Sequence, residues 1–424
     1  MARDWPQLPK HQNEAEALAV APEGWVTLQI ENIFDKLDIG KRFDQKRSFA
    51  SGLVPIIDQS ADGFVGYHDE DPGVIASKIS PVITFANHTC EMRVMRRPFS
   101  VIQNVFPMVG KPGICETLFF YYSSKGRVHL EEYKGHYPDF RRLWMNLPPL
   151  PEQKAIATVL GALDDKIELN RRMNMTLESM ARALFQSWFV DFDPVRAKRD
   201  GSQPIGLDPD TAVLFSASFS DSALGHIPKG WETGPILRQA DLLSGGTPKT
   251  DVPAYWNGDI SWASAKDISQ CGETFLVDTE RTITKQGVEK SSTKIIPAYS
   301  TVVVARGATT GRLTMLGHAM AMNQTCYALR SKVDAPFALY CNARHFIERL
   351  VQGGHGSIFD TITTSTFDAT DVLLAPTEVL LAFDRQVTPL FRQIHANLHQ
   401  SRTLTTLRDT LLPKLLSGEI RLAF

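Results

Sequence analysis

The 424-residue chain has no long apolar run. Nothing approaches the roughly 18 to 20 residues that a membrane-spanning helix needs. The first twenty residues hold charges but no apolar block of the secretory kind. Five cysteines, Cys90, Cys115, Cys271, Cys326 and Cys341, are scattered and never form a Cys-x-x-Cys pair. That argues against a disulfide framework and a zinc site, and it suits a reducing cytoplasm. An excess of either charge is also missing: 45 Lys and Arg stand against 47 Asp and Glu, a net charge of −2. A nucleic-acid partner would therefore have to be met by cations gathered on one face, or by cations from another subunit.

The usual catalytic signatures are absent as well. Gly40-Lys41-Arg42 and Gly110-Lys111-Pro112 lack the preceding glycine spacing and the hydroxyl of an ATP-cradling loop. There is no His-Glu-x-x-His metal motif and no Gly-x-Ser-x-Gly elbow. The Asn/Asp-Pro-Pro-Tyr/Phe tetrad with which DNA amino-methyltransferases grip a flipped base does not occur; the one Pro-Pro is Pro148-Pro149. Gly353-Gly354-His355-Gly356 reads as a flexible loop rather than a nucleotide site. Pro138-Asp139 with Glu152-Gln153-Lys154 meets the loose spacing of a metal-dependent nuclease. That chemistry needs carboxylates converging from adjacent strands, whereas Glu152 and Lys154 fall in the first turn of a predicted helix.

What the chain does contain is a repeat. Pro22-Glu23-Gly24-Trp25 recurs 206 positions on as Pro228-Lys229-Gly230-Trp231. Each opens a stretch rich in Val, Ile, Phe and turn residues, followed by a long helical pattern. In the first helix Ile156, Leu160, Leu163, Ile167, Asn170, Asn174, Leu177, Ala181, Leu184 and Trp188 alternate by four and three, a heptad seam. Adding 227 gives Phe383, Val387, Leu390, Ile394, Asn397, Ser401, Leu404, Arg408, Leu411 and Leu415. Asn170 and Asn397 fall at matched places, and a buried Asn in an apolar seam costs stability but fixes register. The two seams are read as one intramolecular, antiparallel coiled coil rather than two separately packed helices. Pro151, Glu152 and Gln153 suit the first helix start; Asp193-Pro194 and Ser417-Gly418 suit the two ends. A seam of this length spans about 50 Å, a ruler that would hold two readers roughly 15 base pairs apart.

The expected architecture is α+β: two mixed α/β recognition domains joined by two long helices. Its boundaries are an N-terminal segment at 1–23, a first domain at 24–148, a central helix at 149–193, a connector at 194–227, a second domain at 228–374 and a C-terminal helix at 375–424.

Three stretches resemble the specificity subunits of type I restriction-modification systems. The first is Leu150-Pro151-Glu152-Gln153-Lys154-Ala155-Ile156, running on to Leu184-Phe185-Gln186-Ser187-Trp188-Phe189-Val190-Asp191-Phe192-Asp193-Pro194-Val195. The second is Leu224-Gly225-His226-Ile227-Pro228-Lys229-Gly230-Trp231. The third is Arg408-Asp409-Thr410-Leu411-Leu412-Pro413-Lys414-Leu415-Leu416-Ser417-Gly418-Glu419-Ile420. With the repeat, the similarity covers almost the whole chain. The resemblance implies a non-catalytic subunit that reads a split target in double-stranded DNA. It further implies docking of two methyltransferase subunits on the helices, with a restriction and translocase subunit able to join. No cofactor is expected in this chain; S-adenosylmethionine would be held by the partner methyltransferase. The rival is a coiled-coil scaffold that binds proteins without DNA specificity, which leaves the duplicated strand-rich domains unexplained.

In the second domain Gly245-Gly246-Thr247-Pro248-Lys249 precedes Tyr255-Trp256-Asn257-Gly258-Asp259-Ile260-Ser261-Trp262. Thr247 and Lys249 are either phosphate contacts or parts of a structural turn; Trp256 and Trp262 read as core. Thr301-Val302-Val303-Val304-Ala305 is a buried strand that delivers Arg306, Thr309, Thr310 and Arg312. Arg306 suits guanine or phosphate, with a solvated hairpin as the plain alternative. Lys266 is a further candidate. Asn323 and Gln324 either read adenine or tie loops together. The first domain matches less well. Gly73-Val74-Ile75-Ala76-Ser77-Lys78 stands in for the valine run and Arg306, and Gln103-Asn104 for Asn323-Gln324. The Gly-Gly-Thr-Pro loop is missing, its nearest counterpart running from Gly40-Lys41-Arg42 to Lys46 and Arg47. Arg93, Arg96 and Arg97 read as a solvated turn.

Overall fold

The repeated Pro-x-Gly-Trp motif closes the same turn twice. The amide of Trp25 donates to the carbonyl of Pro22 at 3.1 Å, and that of Trp231 to Pro228 at 3.0 Å. The glycines between them lie at φ 80° and 88°, the left-handed position of a type II turn, which glycine fills without steric cost. Both tryptophans are buried.

The computed structural model describes residues 5–60, 63–129, 135–353 and 361–422. Gly354, His355 and Gly356 of the glycine-rich stretch lie outside the described residues. The chain divides into two compact units: residues 2–168 with 402–424, and residues 169–401. The division falls within the two long helices, so each unit holds one strand-rich region and a portion of both helices.

In the first unit the elements run α1 (Glu14–Leu18), β1 (Val26–Gln29), β2 (Phe34–Lys36), β3 (Val54–Ile57), β4 (Gly66–His68), β5 (Val82–Ala86), β6 (Met92–Met95), β7 (Ser100–Val101), β8 (Val105–Gly110), α2 (Thr117–Ser124), α3 (Tyr137–Arg142), β9 (Trp144–Leu147) and the start of α4 (Leu150–Phe185). A four-stranded sheet has the order β2-β8-β5-β6, a three-stranded sheet the order β4-β3-β7, and β1 pairs with β9. β5 is buried along its whole length, which is why its sequence, Val82-Ile83-Thr84-Phe85-Ala86, lacks the alternation of a half-buried strand.

The second unit repeats this plan with insertions. Its elements are the rest of α4, α5 (Asp193–Arg199), α6 (Pro209–Val213), β10 (Phe219–Ser222), β11 (Gly225–Pro228), β12 (Glu232–Pro235), β13 (Ala240–Ser244), β14 (Trp256–Ala263), α7 (Ala265–Gln270), β15 (Phe275–Leu276), β16 (Arg281–Ile283), α8 (Lys285–Glu289), β17 (Ile295–Ile296), β18 (Thr301–Val304), β19 (Leu313–Leu316), β20 (Met320–Met322), β21 (Cys326–Ser331), α9 (Pro336–Gly353), α10 (Thr364–Ala369), β22 (Asp371–Leu374) and most of α11 (Thr377–Leu416). The sheets are β13-β21-β18-β19-β15, β16-β14-β20-β17, and the pairs β12-β22 and β10-β11. Strand for strand, β2-β8-β5-β6 corresponds to β13-β21-β18-β19, and β4-β3-β7 to β16-β14-β20.

Within each unit α4 and α11 run antiparallel. In the second unit Asn170 faces Gln400 and Ser401, at 2.9 and 3.2 Å from its Nδ2, while Asn174 receives Nδ2 of Asn397 at 2.9 Å. Further along, Phe185, Trp188 and Phe189 meet Phe383. Val387, Ile394 and Asn397 are buried there, with Leu177, Leu184 and Leu390 partly buried against the same core. In the first unit Ile156 and Leu160 pack in one cluster with Leu412 and Leu415, and Leu411 lies against it. Leu163, Ile167 and Leu404 are half-buried. Arg408 departs from an apolar seam: its guanidinium bonds Asp164 at 2.6 Å and Asp409 at 2.7 Å. The first helix also ends differently from expectation. After Phe185 a π-helical turn, Gln186–Val190, buries Trp188 and Phe189. Phe192 then takes φ 57°, and Asp193-Pro194 begin α5 instead of closing α4.

Two polar contacts support the second unit. One carboxylate oxygen of Asp384, on α11, accepts the amides of Phe337 and Ala338 at 2.8 and 3.0 Å, capping α9 from another element. Burial pushes this carboxyl above its ordinary range, outweighing the two N–H groups that pull it down. Ionising it therefore costs the folded state, and the cost vanishes as pH falls below the ordinary carboxylate range. Asp384→Ala should destabilise the chain by about 1–3 kcal/mol, because two buried amides lose their acceptor. Asp384→Asn, which keeps an acceptor, should hold the parental melting temperature at neutral pH. Asn397→Ala should cost a similar amount, about 1–3 kcal/mol. A double-mutant cycle with Asn174→Ala should show less than additive loss in thermal unfolding of the full chain.

Candidate nucleic-acid interface

A lattice of four backbone hydrogen bonds is laid down twice. In the second unit the amide of Ala305 donates to Thr325, Ile362 to Ala305, Asn323 to Ala263, and Gly246 to Met322, at 2.8 to 2.9 Å. In the first unit Asn87 donates to Asn104, His136 to Asn87, Ile102 to Ile57, and Phe43 to Val101, at 2.9 to 3.3 Å. The ladders agree: Val304 faces Cys326 as Ala86 faces Val105, and Ala263 faces Met322 as Ile57 faces Val101. Each lattice gathers the ends of three strands and the start of a fourth at one edge, where backbone turns and side chains are free of the ladder.

In the second unit this edge brings most of the sequence candidates together. The Thr247 hydroxyl donates to Oε1 of Gln324. A Cβ on Gly245 would lie 2.2 Å from the carbonyl oxygen of Asn323, so the loop can seat here only as glycine. Trp262 and Trp256 donate their ring N–H groups to the carbonyls of Gly246 and Lys249, both at 3.0 Å. They are core, as read, and they pin the loop while Lys249 stays exposed. Asn323 uses its side-chain oxygen on the Thr325 hydroxyl at 2.9 Å, which makes it a brace. Lys266, on α7, pairs with Glu280 at 2.7 Å, and that carboxylate raises its pKa. α7 also touches the loop after β18, through Ser269 and Thr309 at 2.6 Å. Thr310 bonds the carbonyl of Gly307 at 2.7 Å. Arg306 and Arg312 are exposed and make no ion pair among the described residues. One residue that the sequence did not flag is Arg281, whose guanidinium lies 3.5 Å over the Trp256 ring. An Arg two strands away gives no local pattern that could have announced this stacking.

In the first unit the register corrects two correspondences. Gly73–Lys78 is not the counterpart of the valine run; β5 is, because β5 pairs with β8 as β18 pairs with β21. Gly73–Lys78 forms no strand: Val74 bridges Phe99, the Gly73 amide donates to the Ser100 hydroxyl at 2.9 Å, and Lys78 sits exposed in the turn between Ser77 and Ser80. Gln103 and Asn104 align with Gln324 and Thr325, one place later than the sequence suggested. Asn104 takes φ 65°, a left-handed position that Asn tolerates. Its Nδ2 lies 3.2 Å from Nε2 of His88. Counting from Phe43 as from Gly246 puts Lys46 where Lys249 stands; Lys46 and Arg47 are exposed on a short 3-10 turn. The basic cluster is a solvated turn only at Arg97, which is exposed in the bend after β6; Arg93 lies on β6 and bonds the Ser60 carbonyl, and Arg96 pairs with Asp165 of α4.

The nuclease arrangement does not form. Glu152 is fully buried, and Arg421 holds both its oxygens at 2.6 and 2.8 Å. No group of three or more His, Cys, Asp or Glu among the described residues could hold a metal ion. Nor is any helix among them long and apolar enough to cross a membrane. Burial raises the Cys326 thiol to about 12, which makes it an inert core group.

Comparison with known proteins agrees with this geometry. The profile described as type I restriction modification DNA specificity domain matches residues 22–179 and again 228–379. The chain is 29% identical over 323 residues to the type I restriction enzyme HindI specificity subunit of Haemophilus influenzae, covering 66% of this chain and 69% of that one. It is 24% identical over 352 residues to the MjaIX specificity subunit of Methanocaldococcus jannaschii, covering 77% and 74%. Among solved structures, the type I restriction-modification S subunit from M. genitalium shares the fold, with TM-score 0.60, 14% identity, and coverage of 92% and 96%. Because the profile accounts for both repeats and well over half of the residues, the chain belongs to the type I restriction-modification DNA specificity family, as a subunit that supplies specificity and not catalysis.

Proposed function

We propose that each strand-end edge reads one half of a split target in double-stranded DNA, and that the helices dock two methyltransferase subunits. The observation that carries this is the duplicated lattice, which gives two edges of one geometry but different side chains. Two such edges suit two unlike half-sites. In the second domain Arg306 and Arg312 act as base or phosphate donors, and Lys249 and Thr247 grip the backbone. Lys46, Arg47 and Gln103 serve the first, whereas Lys78 lies in the turn before β5, at the other end of that strand. S-adenosylmethionine belongs to the partner methyltransferase, a restriction and translocase subunit can join, and the assembly works in the cytoplasm. The near-neutral charge fits a subunit whose partners supply much of the phosphate grip.

The test is to co-purify the chain with its methyltransferase and map methylation on genomic DNA. One split motif should emerge, and exchanging residues 24–148 or 228–374 for those of a relative should change one half only. Absence of a co-purifying methyltransferase and of any split motif would sink the reading in favour of a protein-binding scaffold. Arg306→Ala should weaken binding by about 1–3 kcal/mol and relax one position of the second half-site. Lys249→Ala should weaken binding evenly across sequences and lower the salt slope by about 1, read from filter binding between 50 and 200 mM salt.

A further inference from the structure

The second edge carries an assembly that the first lacks: the Gly-Gly-Thr-Pro-Lys loop, the two tryptophans of β14, and Arg281. Arg281 opens β16 and faces Trp262 across the ladder between β14 and β16. Trp262 stands one residue before Ala263, whose carbonyl takes the lattice bond from Asn323. Arg281 therefore stands at the edge, although it is remote from the loop in sequence. Its guanidinium lies 3.5 Å from the centre of the Trp256 ring and 5.7 Å from that of Trp262, and the two indoles meet edge to face at 5.3 Å. The Thr279 hydroxyl donates to the Arg281 carbonyl at 2.8 Å, which fixes the backbone there. In the first unit Ile56 pairs with Ser100 as Trp262 pairs with Ala321. The residue opposite Ile56, at the place of Arg281, is Gly66. A Cβ on Gly66 would lie 2.6 Å from that of Ser48 and 2.8 Å from the carbonyl oxygen of Phe49, so no side chain fits. Loop, tryptophans and stacked arginine are absent together from the first half.

We propose that Arg281 grips a backbone phosphate of the DNA at the second edge, beside the phosphate held by Lys249. The inference rests on the DNA-reading function proposed above and adds a contact to it. One indole positions both cations. Trp256 gives its ring face to the Arg281 guanidinium and its ring N–H to the Lys249 carbonyl, at 3.0 Å. Both side chains are exposed, and neither pairs with a carboxylate among the described residues. Glu280, next to Arg281 in the chain, is already paired with Lys266 at 2.7 Å. Stacking occupies one face of a guanidinium and leaves its in-plane N–H groups for another acceptor. A phosphate offers two oxygens to that fork, and a fork held flat beforehand loses less freedom on binding. An indole that fixes two unmatched cations makes a place for anions, and a DNA strand presents anions in series. Arg281 belongs to the β14 sheet beside the backbone-gripping loop, not to the β18 sheet whose loop carries Arg306. Phosphate is therefore its acceptor, and base reading is left to Arg306. Trp256 is by this reading a positioning residue.

The experiment uses the full chain assembled with its methyltransferase. Binding to duplexes with the parent split motif, and with single changes in its second half, is followed between 50 and 200 mM salt. Arg281→Gln should weaken binding evenly across these duplexes and lower the salt slope by about 1. The ratio of variant to parent Kd should then shrink by about 3- to 4-fold over that salt range. Arg281→Lys should keep the slope, because the charge stays, yet bind more weakly at every salt concentration, because an ammonium is no planar fork. Adding Lys249→Ala to Arg281→Gln should lower the slope by about 2. Melting temperatures of the assemblies separate a lost contact from lost folding, and Arg281→Lys keeps the test decisive where Arg281→Gln assembles poorly. An unchanged slope in Arg281→Gln, or parental affinity in Arg281→Lys, would overturn the assignment. Relaxed preference at a single position of the second half-site would overturn it too, since a phosphate carries no sequence. No split motif from the parent assembly would instead overturn the DNA-reading function itself.

Discussion

The contact on which the helix pair depends is between buried amides. Asn170, Asn174 and Asn397 are all buried, and each finds its partner on the opposite helix. A shift of one helical turn, about 5.4 Å, would set one of these amides against an apolar seam residue, Asn170 against Leu404 or Asn174 against Ile394. The penalty for an unpaired buried polar group then selects one register. Given that register, Phe383 meets Trp188 and Phe189 within the second unit, and Asp384 falls level with the start of α9. Within the first unit the same direction of travel brings Arg408 to Asp164, and Arg421 to the buried carboxylate of Glu152. Within the second unit, a polar interruption that weakens the seam therefore settles where the neighbouring seam side chains land.

Much of this was legible in the sequence, and the reason lies in periodicity. The heptads, the matched asparagines and the repeated Pro-x-Gly-Trp turn are local patterns. Each is enforced by geometry within a few residues. The valine run of β18 was legible because a strand covered on both faces must be apolar throughout. The second edge was legible in its loop, since Gly245 and Gly246 stand where a Cβ has no room and both tryptophans of β14 donate their ring N–H groups to that loop.

The first edge was harder to read because what it shares with the second is backbone. Ladder hydrogen bonds come from main-chain groups that every residue but proline carries. Evolution can therefore replace Val304 by Ala86, or Arg306 by His88, and keep the frame. Loop lengths differ between the halves, so matching by residue type slides the alignment to Gly73–Lys78. Only the pairing register corrects it. Tertiary partners were hidden for a related reason. Phe391 lies off the heptad seam because it stacks on Phe337 of α9 at 4.6 Å, a second buried face of α11. Arg421 reaches Glu152 across most of the length of the chain, and no spacing rule joins them.

The net charge of −2 would count against a DNA-reading function if DNA met the whole chain at once, but net charge is the wrong quantity. Salt confines the field of an exposed charge to a Debye length of about 8–10 Å. A duplex held at the edge proposed for it would therefore meet the cations gathered there, not the sum over the chain. Many cations away from the edge are already matched: Arg408 by Asp164 and Asp409, Arg344 by Glu178 and Glu348, Arg238 by Glu232, Arg330 by Asp241. Each such cation is offset by a carboxylate in contact with it, so it adds little positive field at a distance. Arg306, Arg312 and Lys249 have no carboxylate partner among the described residues. Lys266, at the same edge, would have to give up Glu280 before it could bind a phosphate. A chain can be neutral overall and still offer a positive edge, provided that its other cations are spent on its own carboxylates.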